Sequence, residues 1–298
     1  MDVIDEAVRT LRDAAYAHVG HLVLVRDGEV LAQRQFGRRT LTEPAEVFSV
    51  TKSVVATVVL SAVQDGRLSL DASLGDLLGG RVPPGRRAVT VEHLLSMTGG
   101  AYCGGLQDID RVIELPTSWI DALLSVPQRH QPGTTWCYDN GAVHLLAAAL
   151  QTVTGDVAEF AADRVFGPLG ITGEDWPRDP DGVVWGFGGL RLSALDLARL
   201  GEGWRTDALG LAGLLTEATA PRSAGGPPVD LPYGWLFWVD EVAGRHAYLA
   251  AGWSGQYVLV VPATGVTAVV TGDPRYLTDR STSALAVARH LAAVVADR

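Results

Sequence analysis

Along this chain the spacing of apolar positions changes character several times. Residues 1–20, MDVIDEAVRTLRDAAYAHVG, set Val3, Ile4, Val8, Leu11 and Ala15 at helical spacing among acids and arginines. Residues 21–37, HLVLVRDGEVLAQRQFG, read as two strands around Asp27-Gly28, a favoured tight turn. The run from Ser49 to Gln64 is apolar almost all round, which predicts a buried helix, and Asp65-Gly66 ends it. From about 72 to 220 helical periodicity dominates, in VEHLLSM, SWIDALLSV, AVHLLAAALQTV, VAEFAADRVF and SALDLARLGEGW, with Pro-Gly and Gly-Gly punctuation between them. From Tyr233 the pattern turns to strands, YGWLFWVD, HAYLAA, QYVLVVP and VTAVVTG, before a last helical stretch, STSALAVARHLAAVVADR.

This order predicts an α+β fold. The early hairpin and the late strands form one antiparallel sheet flanked by the terminal helices, with an all-helical subdomain inserted. The expected division is 1–70 with 221–298 as a discontinuous sheet domain and 71–220 as the helical subdomain, with the active site between them. The Gly/Pro-rich PRSAGGPPVDLP, residues 221–232, marks the return to the sheet.

A hydrophobic fraction of 47% with 19% charged residues describes a globular chain. The net charge of -10 argues against nucleic acid and anionic membrane surfaces as partners. No apolar run is long enough to span a bilayer, and no basic segment leads into an apolar one at the start, so a cytoplasmic protein is expected. Cys103 and Cys137 are then expected to be free thiols.

Arginine carries the basic charge everywhere except at Lys52, the only lysine in the chain. Ser49 lies three residues earlier, at the start of the predicted buried helix and on the same face. A buried lysine tends to lose its charge, and serine beside a neutral amine is one way to activate a hydroxyl without histidine. The only asparagine, Asn140, stands two residues after Tyr138.

These motifs, FSVTKS and YDN, resemble those of the serine β-lactamase and penicillin-binding-protein superfamily. So do LLSMTGG, PGTTWCYDNGAVHLLAAAL, GGLRLSALDLARLG and GWSGQYVLVVP. The likeness runs from about residue 20 to the C-terminus and looks nearest to the class C-like esterase, amide-hydrolase and transacylase branch. It implies that Ser49 attacks an ester or amide carbonyl, that Lys52 accepts its proton, and that Tyr138 relays that proton to the leaving group. It also implies that Asn140 holds Lys52, and that the backbone N–H groups of Ser49 and Gln256 form an oxyanion hole. Glycines at 252 and 255 would let the strand edge approach the substrate.

Trp253-Ser254-Gly255-Gln256 stands where the family usually carries a cation, on the strand before QYVLVVP. A tryptophan cannot pair with a substrate carboxylate, so a neutral or aromatic acyl group is expected. Tyr102 is a candidate pocket residue. The resemblance implies no cofactor and no metal, and a small ester or amide as partner. It also allows a biosynthetic transacylase with an amine or alcohol acceptor, as in nucleoside-antibiotic-like pathways, and a non-catalytic β-lactam or ligand-binding protein. No histidine has metal-ligand spacing, and no G-x-S-x-G elbow is present. His130 and His144 read as structural or surface histidines, Trp119, Trp235 and Trp238 as core, and Asp108 and Asp110 as solvated loop acids.

Overall fold

The structure is a computed structural model that describes residues 19–103, 111–272 and 281–296. The predicted N-terminal helix, Asp108 and Asp110 lie outside the described residues. In chain order, β1 (Val19–Arg26) and β2 (Glu29–Gln35) form the predicted hairpin, followed by the short β3 (Ala45–Glu46) and helix α1 (Val50–Gln64). The helical block holds α2 (Leu74–Leu78), α3 (Val91–Leu95), α4 (Trp119–Leu124), α5 (Asn140–Thr154), α6 (Val157–Ala161), the two-residue β4 (Arg191–Leu192), α7 (Ala194–Thr206) and α8 (Ala212–Ala218). The chain then runs through β5 (Ser223–Gly226), β6 (Leu231–Tyr233), β7 (Trp238–Val242), β8 (Arg245–Gly252), β9 (Gln256–Val261) and β10 (Val266–Gly272) to α9 (Ser281–Ala296).

The α+β class is as expected. Eight strands form one sheet in the order β2-β1-β10-β9-β8-β7-β6-β5, and β3 pairs with β4 in a separate ribbon. Among the described residues all the strand pairings are antiparallel. The register places Thr267, Val260, Tyr248 and Val239 side by side on one face. Thr267 on that face donates to Glu202 of α7, whereas Asp240, one residue out of phase, accepts from Arg289 of α9. Helices α7 and α9 therefore cover opposite faces. That double cover explains why β9 and β10 are almost wholly buried and read as continuous apolar runs rather than alternating ones.

Two departures from the expected fold have clear physical causes. The Gly/Pro-rich segment is not only a connection, because residues 223–233 add two short strands, β6 and the edge strand β5. Such strands carry little apolar periodicity, since one side of each pair is solvated. The second is a correction. Cys103 and Cys137 are joined in a disulfide, not held as free thiols. The Cys137 N–H donates to the Met97 carbonyl at 3.0 Å and the Tyr102 N–H to the Pro127 carbonyl at 2.8 Å. These contacts bring the two Cα atoms to 6.4 Å, within bridging distance. The thiols thus lend no support to a reducing compartment. Among the described residues no helix is long and apolar enough to cross a membrane.

Helix α1 is the central element for function. Residues 50–62 are all buried, and the helix packs against α5, α6, β8 and β9. Its hydroxyl residues find partners inside: Ser53 donates to the Leu236 carbonyl at 2.6 Å, and Thr57 accepts from the Trp204 indole at 2.9 Å. Trp119, Trp235 and Trp238 are core residues, as predicted.

Candidate active site

Ser49 occupies the N-cap position of α1 without capping it. A serine there commonly accepts from a backbone N–H of the first turn. Here the hydroxyl instead accepts from the Lys52 ammonium at 2.7 Å. The chain reaches Ser49 through Phe48, whose φ of 49° is left-handed, a conformation that costs a non-glycine residue about 1–3 kcal/mol. The resulting kink brings the end of β3 directly into α1 with the serine at the corner.

Lys52 is only 1% exposed. Burial lowers its pKa to about 7, against the opposing attraction of Asp139. Its Nζ also donates to the Phe187 carbonyl at 2.8 Å and lies 4.9 Å from the centre of the Tyr138 ring. Tyr138 hydrogen-bonds to Ser49, and burial pushes its pKa up to about 12 although that bond acts the other way. Its ring stacks on Trp238 at 5.8 Å and meets Tyr233 edge-on at 6.3 Å. One hydroxyl thus faces an amine able to take its proton near neutral pH and a phenol that keeps its own.

Asp139 caps α5 by accepting from the Ala142 N–H at 3.0 Å. Desolvation raises its pKa, while the Ala142 N–H, Arg86, the Gly141 N–H and Lys52 pull it back down. Asn140, the first residue of α5, is buried. The hydrogen bonds of Lys52 go to Ser49 and Phe187 rather than to Asn140, which was expected to hold it.

Residues 253–255 form the turn between β8 and β9 rather than lying on the strand, closed by the Gly252–Gln256 pair. Ser254 and Gly255 are left-handed, with φ of 60° and 86°. A Cβ on Gly252 would strike the Val47 carbonyl and lie 3.3 Å from the Ser49 nitrogen. Only glycine permits the sheet to come this close to the nucleophile. Gln256 is buried beside this contact, its side chain reaching the Ser254 carbonyl at 3.4 Å. Trp253 is 40% exposed and meets Phe48 edge-on at 5.3 Å. Tyr102 is also exposed, beneath Arg129 at 5.4 Å, and the neighbouring disulfide ties its segment to Tyr138.

The structure thus brings Ser49, Lys52 and Tyr138 into direct contact and places the 252–256 turn against Ser49. Sequence reasoning overlooked Phe187, which acts through a main-chain carbonyl that any residue type carries. It also overlooked Phe48 and the charge of Asp139. The last could have been suspected, since it lies inside YDN. Among the described residues no group of three or more His, Cys, Asp or Glu is placed to hold a metal ion.

The chain is 26% identical over 266 residues to penicillin-binding protein 4 of Amycolatopsis lactamdurans, covering 74% of this chain and 70% of that protein. It is 33% identical over 192 residues to esterase EstB of Burkholderia gladioli, covering 57% of this chain but only 48% of the esterase. The octameric penicillin-binding protein homologue from Pyrococcus abyssi superposes with a TM-score of 0.80 at 20% identity, covering all of this chain and 78% of that one. The beta-lactamase family model matches residues 4–292, nearly the whole length, and the chain belongs to that family.

Proposed function

We propose that the protein is a serine hydrolase acting on a small ester or amide through a covalent acyl-enzyme. The observation that carries this reading is the Ser49 hydroxyl, left free of capping and held 2.7 Å from a buried amine. Ser49 attacks the carbonyl while Lys52, neutral near pH 7, accepts the serine proton. Tyr138 hands its proton to the leaving group and recovers one from the Lys52 ammonium, which returns the lysine to its neutral form; water then attacks the acyl-enzyme and releases the acid and Ser49. The backbone N–H groups of Ser49 and Gln256 stabilise the oxyanion. Asn140 and Tyr102 line the acyl side. In this reading the site lies between a sheet domain, 1–70 with 221–298, and a helical subdomain, 71–220. α1 supplies Ser49 and Lys52, the helical block supplies Tyr138, and the sheet supplies the 252–256 turn. The esterase relative supports ester chemistry.

The test is intact-protein mass after treatment with a fluorophosphonate, wild type beside Ser49→Ala. An adduct on wild type alone is expected. A folded wild type that takes up no label refutes the reading and favours a non-catalytic ligand-binding protein. Adding amines to an ester-loaded enzyme then separates release as acid from release as amide, the mark of a transacylase.

The exposed Trp253 leads to a prediction about the acyl group. Trp253→Lys should lower kcat/KM for aromatic p-nitrophenyl esters about tenfold, through loss of the ring contact. It should also raise kcat/KM for succinyl hemiesters several-fold through an exposed ion pair. Unchanged selectivity in steady-state kinetics would remove Trp253 from the acyl side.

A further inference from the structure

Beneath the site, on α5, His144 is fully buried and paired with Asp179, its Nε2 lying 2.9 Å from the carboxylate. Its Nδ1 accepts a long hydrogen bond, 3.4 Å, from the Gly186 N–H. Nδ1 can accept only if it carries no proton, so the proton sits on Nε2 and is donated to Asp179. Gly186 immediately precedes Phe187, whose carbonyl receives the Lys52 ammonium. The glycine is required here: a Cβ would strike the Val143 carbonyl and lie 3.1 Å from the His144 Cα. The Phe187 ring meets the His144 ring edge-on at 5.8 Å, and the Trp119 ring contacts both. Asp179 is itself anchored, accepting from the Val183 N–H at 2.8 Å.

We infer that His144, oriented by Asp179, is a positioning residue for Lys52: it holds the Gly186-Phe187 backbone so that the Phe187 carbonyl keeps Nζ aimed at Ser49. This rests on the reading of Lys52 as the proton acceptor. The groups that face Lys52 are Ser49, Tyr138, Asp139 and the Phe187 carbonyl, with Arg86 behind Asp139. Of these, the carbonyl is the one that His144 holds, through its contact with Gly186. A carbonyl that accepts from the ammonium favours the charged form. Its loss should make Lys52 easier to deprotonate but leave it poorly aimed.

Two substitutions separate positioning from packing. In His144→Asn the amide oxygen replaces Nδ1 and keeps the Gly186 contact; in His144→Gln the amide nitrogen replaces Nε2 and keeps Asp179. Fluorophosphonate labelling of Ser49 should slow by about ten- to a hundred-fold in His144→Gln, with its acid midpoint moved below that of wild type, and only a few-fold in His144→Asn. Thermal melts run in parallel report stability. Equal slowing in both variants, or a His144→Gln that labels at the wild-type rate and midpoint, overturns the inference alone. A wild type that is not labelled overturns the hydrolase reading with it. Nitrogen NMR of the wild type needs no variant: a proton on His144 Nδ1 overturns the inference, and one on Nε2 is expected.

Discussion

Lys52→Arg should fold and lose about 10⁴-fold in kcat/KM for any ester the wild type cleaves. The guanidinium keeps its proton at every accessible pH, so it cannot accept the one that Ser49 must lose. Lys52 can accept it because burial holds its pKa down at about 7. The base works in its neutral form, so wild-type kcat/KM should climb with pH, pass half-maximum near 7 and level off above. Each pH unit well below that midpoint should cost about tenfold. Tyr138, pushed up to about 12, keeps its proton throughout this range and should contribute no alkaline limb below about pH 11. Steady-state kinetics from pH 5 to 10, wild type beside Lys52→Arg, checks both claims. An active arginine variant, or a wild-type profile flat across pH 7, would remove Lys52 as the base. The same argument explains why one lysine persists in a chain that otherwise uses arginine.

Tyr138→Phe is expected to cost about 10²- to 10³-fold, and unequally between substrates. The ring packs against Trp238 and Tyr233, and phenylalanine preserves both contacts, so the loss should fall on kcat rather than on stability. If Tyr138 hands a proton to the leaving group, the penalty should be largest for methyl esters, whose alkoxide leaves poorly unprotonated. It should be smallest for p-nitrophenyl esters, whose phenolate leaves without a proton. The ratio of the two penalties is the measurement. An equal loss for both leaving groups would assign Tyr138 to holding Ser49 in place and not to proton transfer.

The behaviour expected of these variants depends on how the site is assembled, and different parts of it were legible to different degrees in the amino-acid sequence. The sheet and its covering helices were readable because β9 and β10 are buried on both faces and carry nearly continuous apolar runs, and because α1 is apolar over most of its circumference. The edge strand β5 and the short β6 beside it were not readable as strands, because brief, half-solvated pairing leaves little trace in side-chain type. Ser49 and Lys52 announced themselves for a local reason. Three residues along a helix is one turn, so their contact is set by helical geometry as soon as α1 forms.

Other features depend on segments far apart in the chain. Tyr138 reaches Ser49 only because α5 packs on α1. Phe187 supplies a carbonyl common to all residues, delivered across 135 positions by the packing of Gly186 on α5. Cys103 and Cys137 meet only because main-chain hydrogen bonds at Met97 and Pro127 draw their segments together. Sequence specifies side-chain chemistry and short-range periodicity, which were enough for the fold class and for the serine–lysine pair. The lysine's carbonyl partner and the disulfide depend on long-range packing, and that became visible only once the chain was folded.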